Sequence, residues 1–148
     1  MKKTVLSICM LAILLAVGCK KGNDYSNAPQ IKILSIRPMA PVKNTDPVVI
    51  ALECTDGDGD VGENTPDMKN LFVQDNRNGV VSAFRISQLA PSGSNVIIRT
   101  TLNVNLNPQG FVDDNNTSES ATYSVWLFDR AGNKSNTVTT PSIEITAP

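Results

Sequence analysis

Between residues 53 and 67 the chain reads ECTDGDGDVGENTPD, which holds six of its 14 acidic residues and no Lys or Arg. Asp56, Asp58 and Asp60 stand two apart, with Gly57 and Gly59 between them. A hard cation such as Ca2+ takes about six to eight oxygen ligands at about 2.3–2.6 Å, and carboxylates at alternate positions of a tight loop can converge on one ion where glycine lets the backbone turn. The spacing makes this loop a candidate Ca2+ site. The competing reading is that Asp-Gly pairs form turns on their own account while solvent screens the charge.

Catalysis has little else to stand on. The chain has no His, which removes the commonest general base and the commonest metal-ligating side chain at neutral pH. No Gly-rich turn leads from a strand into a helix to cradle a phosphate. A carboxylate pair can hydrolyse a glycoside, but acids clustered beside glycines with no flanking aromatic read as ligands, not as an acid and a nucleophile with separated pKa values. No nucleophile, base and oxyanion donor converge, so the sequence is read as that of a non-enzyme. With 13 basic against 14 acidic residues there is no positive field to collect phosphates, and nucleic acid is excluded as a partner.

The 148 residues amount to one domain. What must position the acids is a run of short strands, because from Ile31 onward apolar residues alternate with polar ones and turn residues break the pattern. Strands are expected over 31–37, 48–55, 71–74, 80–88, 95–105, 122–129 and 137–146. In the second, Val48, Ile50, Leu52 and Cys54 share one face, which puts Cys54 in the core as a small hydrophobe instead of a reactive thiol. The turn Asn76-Arg77-Asn78-Gly79 joins the third and fourth as a hairpin. Pro141 marks the last as an edge strand or a broken one. Residues 107–120 form a polar connection that buries little beyond Phe111. Seven short strands without a helix predict an antiparallel two-sheet β-sandwich over residues 31–148.

The stretch Tyr123-Ser-Val-Trp-Leu-Phe-Asp129-Arg-Ala-Gly132-Asn133-Lys-Ser135 resembles the sixth strand and following turn of bacterial Ig-like and fibronectin-type-III-like domains. The resemblance implies a seven-stranded Ig-like sandwich, with Tyr123 as its corner tyrosine and Tyr123, Val125 and Leu127 on the core face. Such domains serve mostly as spacers, adhesins or binding modules, so architecture is implied far more than activity. In that topology the loops after the second and sixth strands share an end. Asp129 would then close on Asp56, Asp58 and Asp60, with Asn133 or a main-chain carbonyl completing the ligand set. The first strand starts at the same end, so the ion is expected to be structural and close to the preceding segment. The acidic spacing also resembles the start of an EF-hand loop, with Asp67 at its twelfth position. Val61 stands where that family needs Gly and the flanks read as strands, so an EF-hand is rejected. Trp126 and Phe128 have the opposite parity to Tyr123 and are expected on the outer face, a platform for a sugar or a protein partner unless Phe111 and the polar connection fold over them.

At the N-terminus Lys2 and Lys3 precede an apolar run that ends at Val17, too short to cross a bilayer before Lys20, which is the pattern of a secretory signal. Ala16-Val17-Gly18-Cys19 resembles the lipobox of bacterial lipoproteins, with Ala16 where Leu is usual. The resemblance implies a cleaved signal peptide over residues 1–18, lipid on Cys19, and a tether over 19–30 that keeps the domain near the membrane. Cleavage carries off Cys9, which leaves Cys54 without a disulfide partner. Lys20, directly after the Cys, fits export to the outer membrane. The sequence thus predicts a lipid-anchored cell-envelope protein that binds or scaffolds, with a structural Ca2+ loop. The second reading is a carbohydrate-binding accessory lipoprotein that uses Trp126 and Phe128.

Overall fold

The computed structural model describes residues 25–148. The expected signal peptide, the lipidated Cys19 and the first part of the tether lie outside the described residues. What is described is all β: β1 (Gln30–Arg37), β2 (Val48–Asp56), β3 (Leu71–Asp75), β4 (Val81–Phe84), β5 (Ile98–Leu106), β6 (Ser118–Ala121), β7 (Tyr123–Leu127), β8 (Val138–Thr139) and β9 (Ile143–Thr146). Three antiparallel sheets are formed, in the orders β1-β2-β5, β4-β3-β7-β8 and β6-β9. This is consistent with a β-sandwich.

Alternation builds the core. Val48, Ile50, Leu52 and Cys54 of β2 are fully buried, and so are Val125 and Leu127 of β7, with Tyr123 only 1% exposed. One continuous cluster joins these to Leu71 and Val73 of β3, Ile31 and Ile36 of β1, Val104 and Leu106 of β5, and Ile143 and Ile145 of β9. Cys54 is a free thiol inside it. Desolvation, with the nearby charge of Asp56 adding to it, pushes that thiol up to about 12, so it stays protonated and packs as a hydrophobe.

The described residues hold nine strands where seven were expected, for two local reasons. The last expected strand is cut in two, because Pro141 has no N–H for a ladder and Thr140 takes over the pairing. Its hydroxyl accepts from Tyr123 N at 3.0 Å while its own N–H donates to Tyr123 O at 2.9 Å. The second addition is β6, inside the stretch expected to be a polar connection. Its inward positions are Glu119 and Ala121, paired opposite Ile145 and Ile143. A carboxylate facing inward hides the alternation from any apolar pattern. β4 is also shorter than the expected 80–88. Past Phe84 the ladder gives way to a side chain, with Asn70 Oδ1 accepting from Ile86 N at 2.7 Å and Asn70 Nδ2 donating to Ile86 O at 3.3 Å.

Candidate metal centre

β2 ends at Asp56, opposite Ile98, and delivers the acidic loop to one pole of the molecule. The loop can form only with glycine at its two hinges. A Cβ on Gly57 would lie 2.6 Å from the carbonyl oxygen of Tyr25 and 2.7 Å from that of Ser26. Gly59 has φ +82° and would meet Val96 O at 2.5 Å. The upstream segment is thereby clamped onto the loop, and Gly57 N donates to Ser26 O at 2.8 Å.

The three aspartates divide their oxygens. Asp56 is fully buried, and its Oδ2 accepts from Gly59 N at 2.8 Å and Asp60 N at 3.0 Å. Asp60 Oδ2 accepts from Ala131 N at 3.0 Å. The Oδ1 atoms of Asp56, Asp58 and Asp60 are all buried with no hydrogen-bond partner. One carboxylate oxygen from each of the three falls within 4.8 Å of the others, a grouping that could hold a metal ion. The burial that desolvates these groups, together with the charges of Asp129 and Asp58, raises the Asp60 carboxyl to about 6. Asp56 is raised as well, by desolvation first, partly offset by its two backbone donors. Carboxylates held this way gain from a proton or a cation.

The turn after β7 faces this loop, as the topology required. Arg130 N donates to Asp60 O at 3.2 Å, and the Arg130 guanidinium reaches Gly62 O at 2.9 Å and Gly59 O at 3.4 Å. Asp129 is 7% exposed, and its carboxylate is held by Asn133, through the backbone N–H at 2.7 Å and the side-chain amide at 2.8 Å. Asp129 therefore stands close enough to raise Asp56 and Asp60 by its charge, while its hydrogen bonds shape its own turn. Val61, which separates this loop from an EF-hand, is a fully buried core residue. Asp67 is exposed.

Trp126 and Phe128 lie on the outer face of the four-stranded sheet, half-buried. Phe72, across the ladder from Trp126, stacks on it with centroids 5.8 Å apart and packs edge-on to Phe128 at 5.9 Å. From the other side of β7, the Lys134 ammonium sits 5.0 Å from the Trp126 centroid. The indole is thus engaged by partners of its own chain. Phe111 does not fold over this face. It packs against the core cluster, with the Lys43 ammonium 4.3 Å from its ring.

A charged cluster at the opposite pole went unnoticed in the sequence. Arg77, in the β3–β4 turn, pairs with Asp75 at 2.6 Å and Glu119 at 2.9 Å, with side chains about a tenth exposed. Glu119 also accepts from Val112 N and Asp113 N, both at 2.8 Å, and these bonds hold its carboxyl down at about 2. The signal was the parity of Asp75, which continues the inward series Leu71 and Val73. Comparison with protein-family models, with curated proteins and with solved structures gives no significant match.

Proposed function

We propose that this chain is a lipid-anchored, Ig-like binding or scaffolding protein of the bacterial cell envelope, in which Asp56, Asp58 and Asp60 hold a structural Ca2+. One observation carries the metal reading: three buried Oδ1 atoms with no donor, on carboxylates grouped within 4.8 Å, the span of two Ca2+–oxygen bonds of about 2.4 Å. Leaving three such oxygens bare in a protein interior is costly, and an all-oxygen set suits a hard cation. The ion would sit where the upstream segment, the acidic loop and the β7–β8 turn meet. That placement suits an ion that stiffens the anchor-proximal end, because the Oδ1 atoms are closed to solvent and to any bulky ligand.

The test is thermal unfolding of the full chain in EDTA and after adding Ca2+. Saturating the site at a hundredfold excess over Kd adds about 2.7 kcal/mol, a rise of several degrees for a domain of this size, and Asp58→Ala abolishes it. An equal midpoint in both conditions sinks the metal reading. The anchor rests on the lipobox-like residues 16–19. Labelled palmitate should enter the native chain and not Cys19→Ser. The second reading, carbohydrate binding through Trp126 and Phe128, draws on the contiguous aromatic face that Phe72 completes. It requires glycan binding that is lost in Trp126→Ala.

A further inference from the structure

At the pole away from the acidic loop a cleft of about 480 Å³ opens between the β3–β4 hairpin and the end of β5 with the connection that follows it. Val73, Leu106 and Tyr123 line it from the core, and Phe84 and Phe111 stand half-buried along it. β4 and β5 are the outermost strands of their sheets, so the cleft is an open seam of the sandwich with no strand across it. Its size falls within the range of small-ligand sites, about 300–1,000 Å³.

The lining selects a chemistry. Ser82 and Asn107 contribute a hydroxyl and a carboxamide whose side chains have no hydrogen-bond partner among the described residues. Tyr123 Oη is buried and also lacks a partner. The cleft's charged residues are Asp75 and Arg77; Arg77 pairs with Asp75 at 2.6 Å and also with Glu119 at 2.9 Å, and both Asp75 oxygens accept from Arg77. An anionic ligand therefore meets no free cation, and a cationic one would have to displace Arg77 from Asp75. A wholly apolar ligand would strand the amide and hydroxyls, which costs free energy when polar groups are desolvated without partners. What remains is a neutral molecule with a C–H face and a rim of hydroxyls.

We propose that this cleft binds a neutral pyranose sugar, with its C–H face against Phe84 and Phe111 and its hydroxyls on Ser82 and Asn107. The site is separate from both the metal loop and the Trp126 face, and it stands without either.

The experiment is 15N–1H NMR of the full chain titrated with methyl glucoside, methyl galactoside, methyl mannoside and N-acetylglucosamine, each to about 50 mM, enough to read millimolar binding. At least one sugar should give saturable shifts confined to residues 80–84 and 105–112. Asn107→Ala, an exposed position that leaves the core intact, should weaken that response about tenfold. Phe111→Leu, which keeps an apolar side chain against the core, should do the same. The proposal fails if no sugar gives saturable shifts, or if the shifts centre on Trp126 and Phe128. It also fails if an uncharged alanine-rich peptide perturbs residues 80–84 more strongly than every sugar, which would make the seam a strand-pairing site.

Discussion

Ala131 donates its backbone N–H to Asp60 Oδ2 at 3.0 Å and so joins two loops 71 residues apart in sequence. Beside it, the Arg130 guanidinium bonds the carbonyls of Gly59 and Gly62. None of Asp56, Asp58, Asp60 and Asp129 takes part in an ion pair among the described residues. Backbone amides and a guanidinium fix the shape of the loop, and the negative charge is left over. Structural loops usually pair or expose such charge. Here it is collected, which is what cation binding requires.

Asp60→Asn separates charge from shape, since the amide oxygen can still accept from Ala131 N. Without divalent cation the variant should be more stable than the native chain, raising the midpoint by a few degrees as the desolvation of the carboxylate and its repulsion by Asp129 and Asp58 are relieved. With Ca2+ the order should reverse. Midpoints measured in EDTA and in millimolar Ca2+ decide it; an Asn variant less stable in both would leave the loop a hydrogen-bonded turn.

The pH profile follows from two groups that move in opposite directions. Asp60, raised to about 6, binds its proton more tightly folded than unfolded, so its contribution falls as pH rises from about 4 to 6. Glu119, lowered to about 2 from the ordinary glutamate value of 4.5, contributes stability above pH 4.5 that is lost as pH falls through 2. In EDTA, stability should peak near pH 4, decline to about pH 6 and level off above it. Ca2+ should lift the neutral side, because protons and the ion compete for the same oxygens. Midpoints from pH 3 to 8 with and without Ca2+ test this, and the absence of any fall between about pH 4.5 and 6.5 in EDTA would contradict it.

The parts of this molecule that were legible in the sequence are those where parity and polarity agree. Val48 to Cys54 on β2 and Tyr123 to Leu127 on β7 alternate cleanly, and their faces could be read directly. The facing of Asp56–Asp60 and the β7–β8 turn followed from strand order. Parity misleads where a charged residue occupies an inward position and is satisfied by a distant partner. Glu119 and Asp75 both face Arg77, and nothing local to β6 announces it. Phe72 was readable by parity as an outward residue, but its stacking on Trp126 depends on which strands neighbour each other. The docking of Tyr25 and Ser26 on Gly57 left no trace either, since the preceding polar stretch has no period.

That docking makes Gly57 the point where the upstream segment and the acidic loop are coupled. Gly57→Ala places a methyl group against the Tyr25 and Ser26 carbonyls at 2.6 and 2.7 Å, too close for either to stay. Overpacking of this kind costs about 1–3 kcal/mol, and the least anchored partner should yield first. The expected result is modest destabilisation, with faster amide exchange and protease cleavage near residues 25–28 while the β2–β5 amides stay protected. Unchanged protection at 25–28 would show that the segment is held by other contacts.

Arg77 sits between Asp75 and Glu119 with its side chain only 11% exposed and also donates to Gly110 O at 3.0 Å. It thus ties the β3–β4 turn to the connection after β5 and to β6. Removing one member of a desolvated pair costs more than the pair itself contributes, because the remaining charge loses its partner. Arg77→Met keeps most of the aliphatic stem and should cost about 3 kcal/mol. The damage should be local first: the Val112 and Asp113 amides, which donate to Glu119, should exchange faster than those of β2. Urea unfolding with exchange at these two amides measures both effects. A change below about 1 kcal/mol would class the triad with exposed pairs and leave residues 107–117 to be held by the packing of Phe111 and by the backbone bonds from Asn44 to Gln109 and from Ala147 to Thr117.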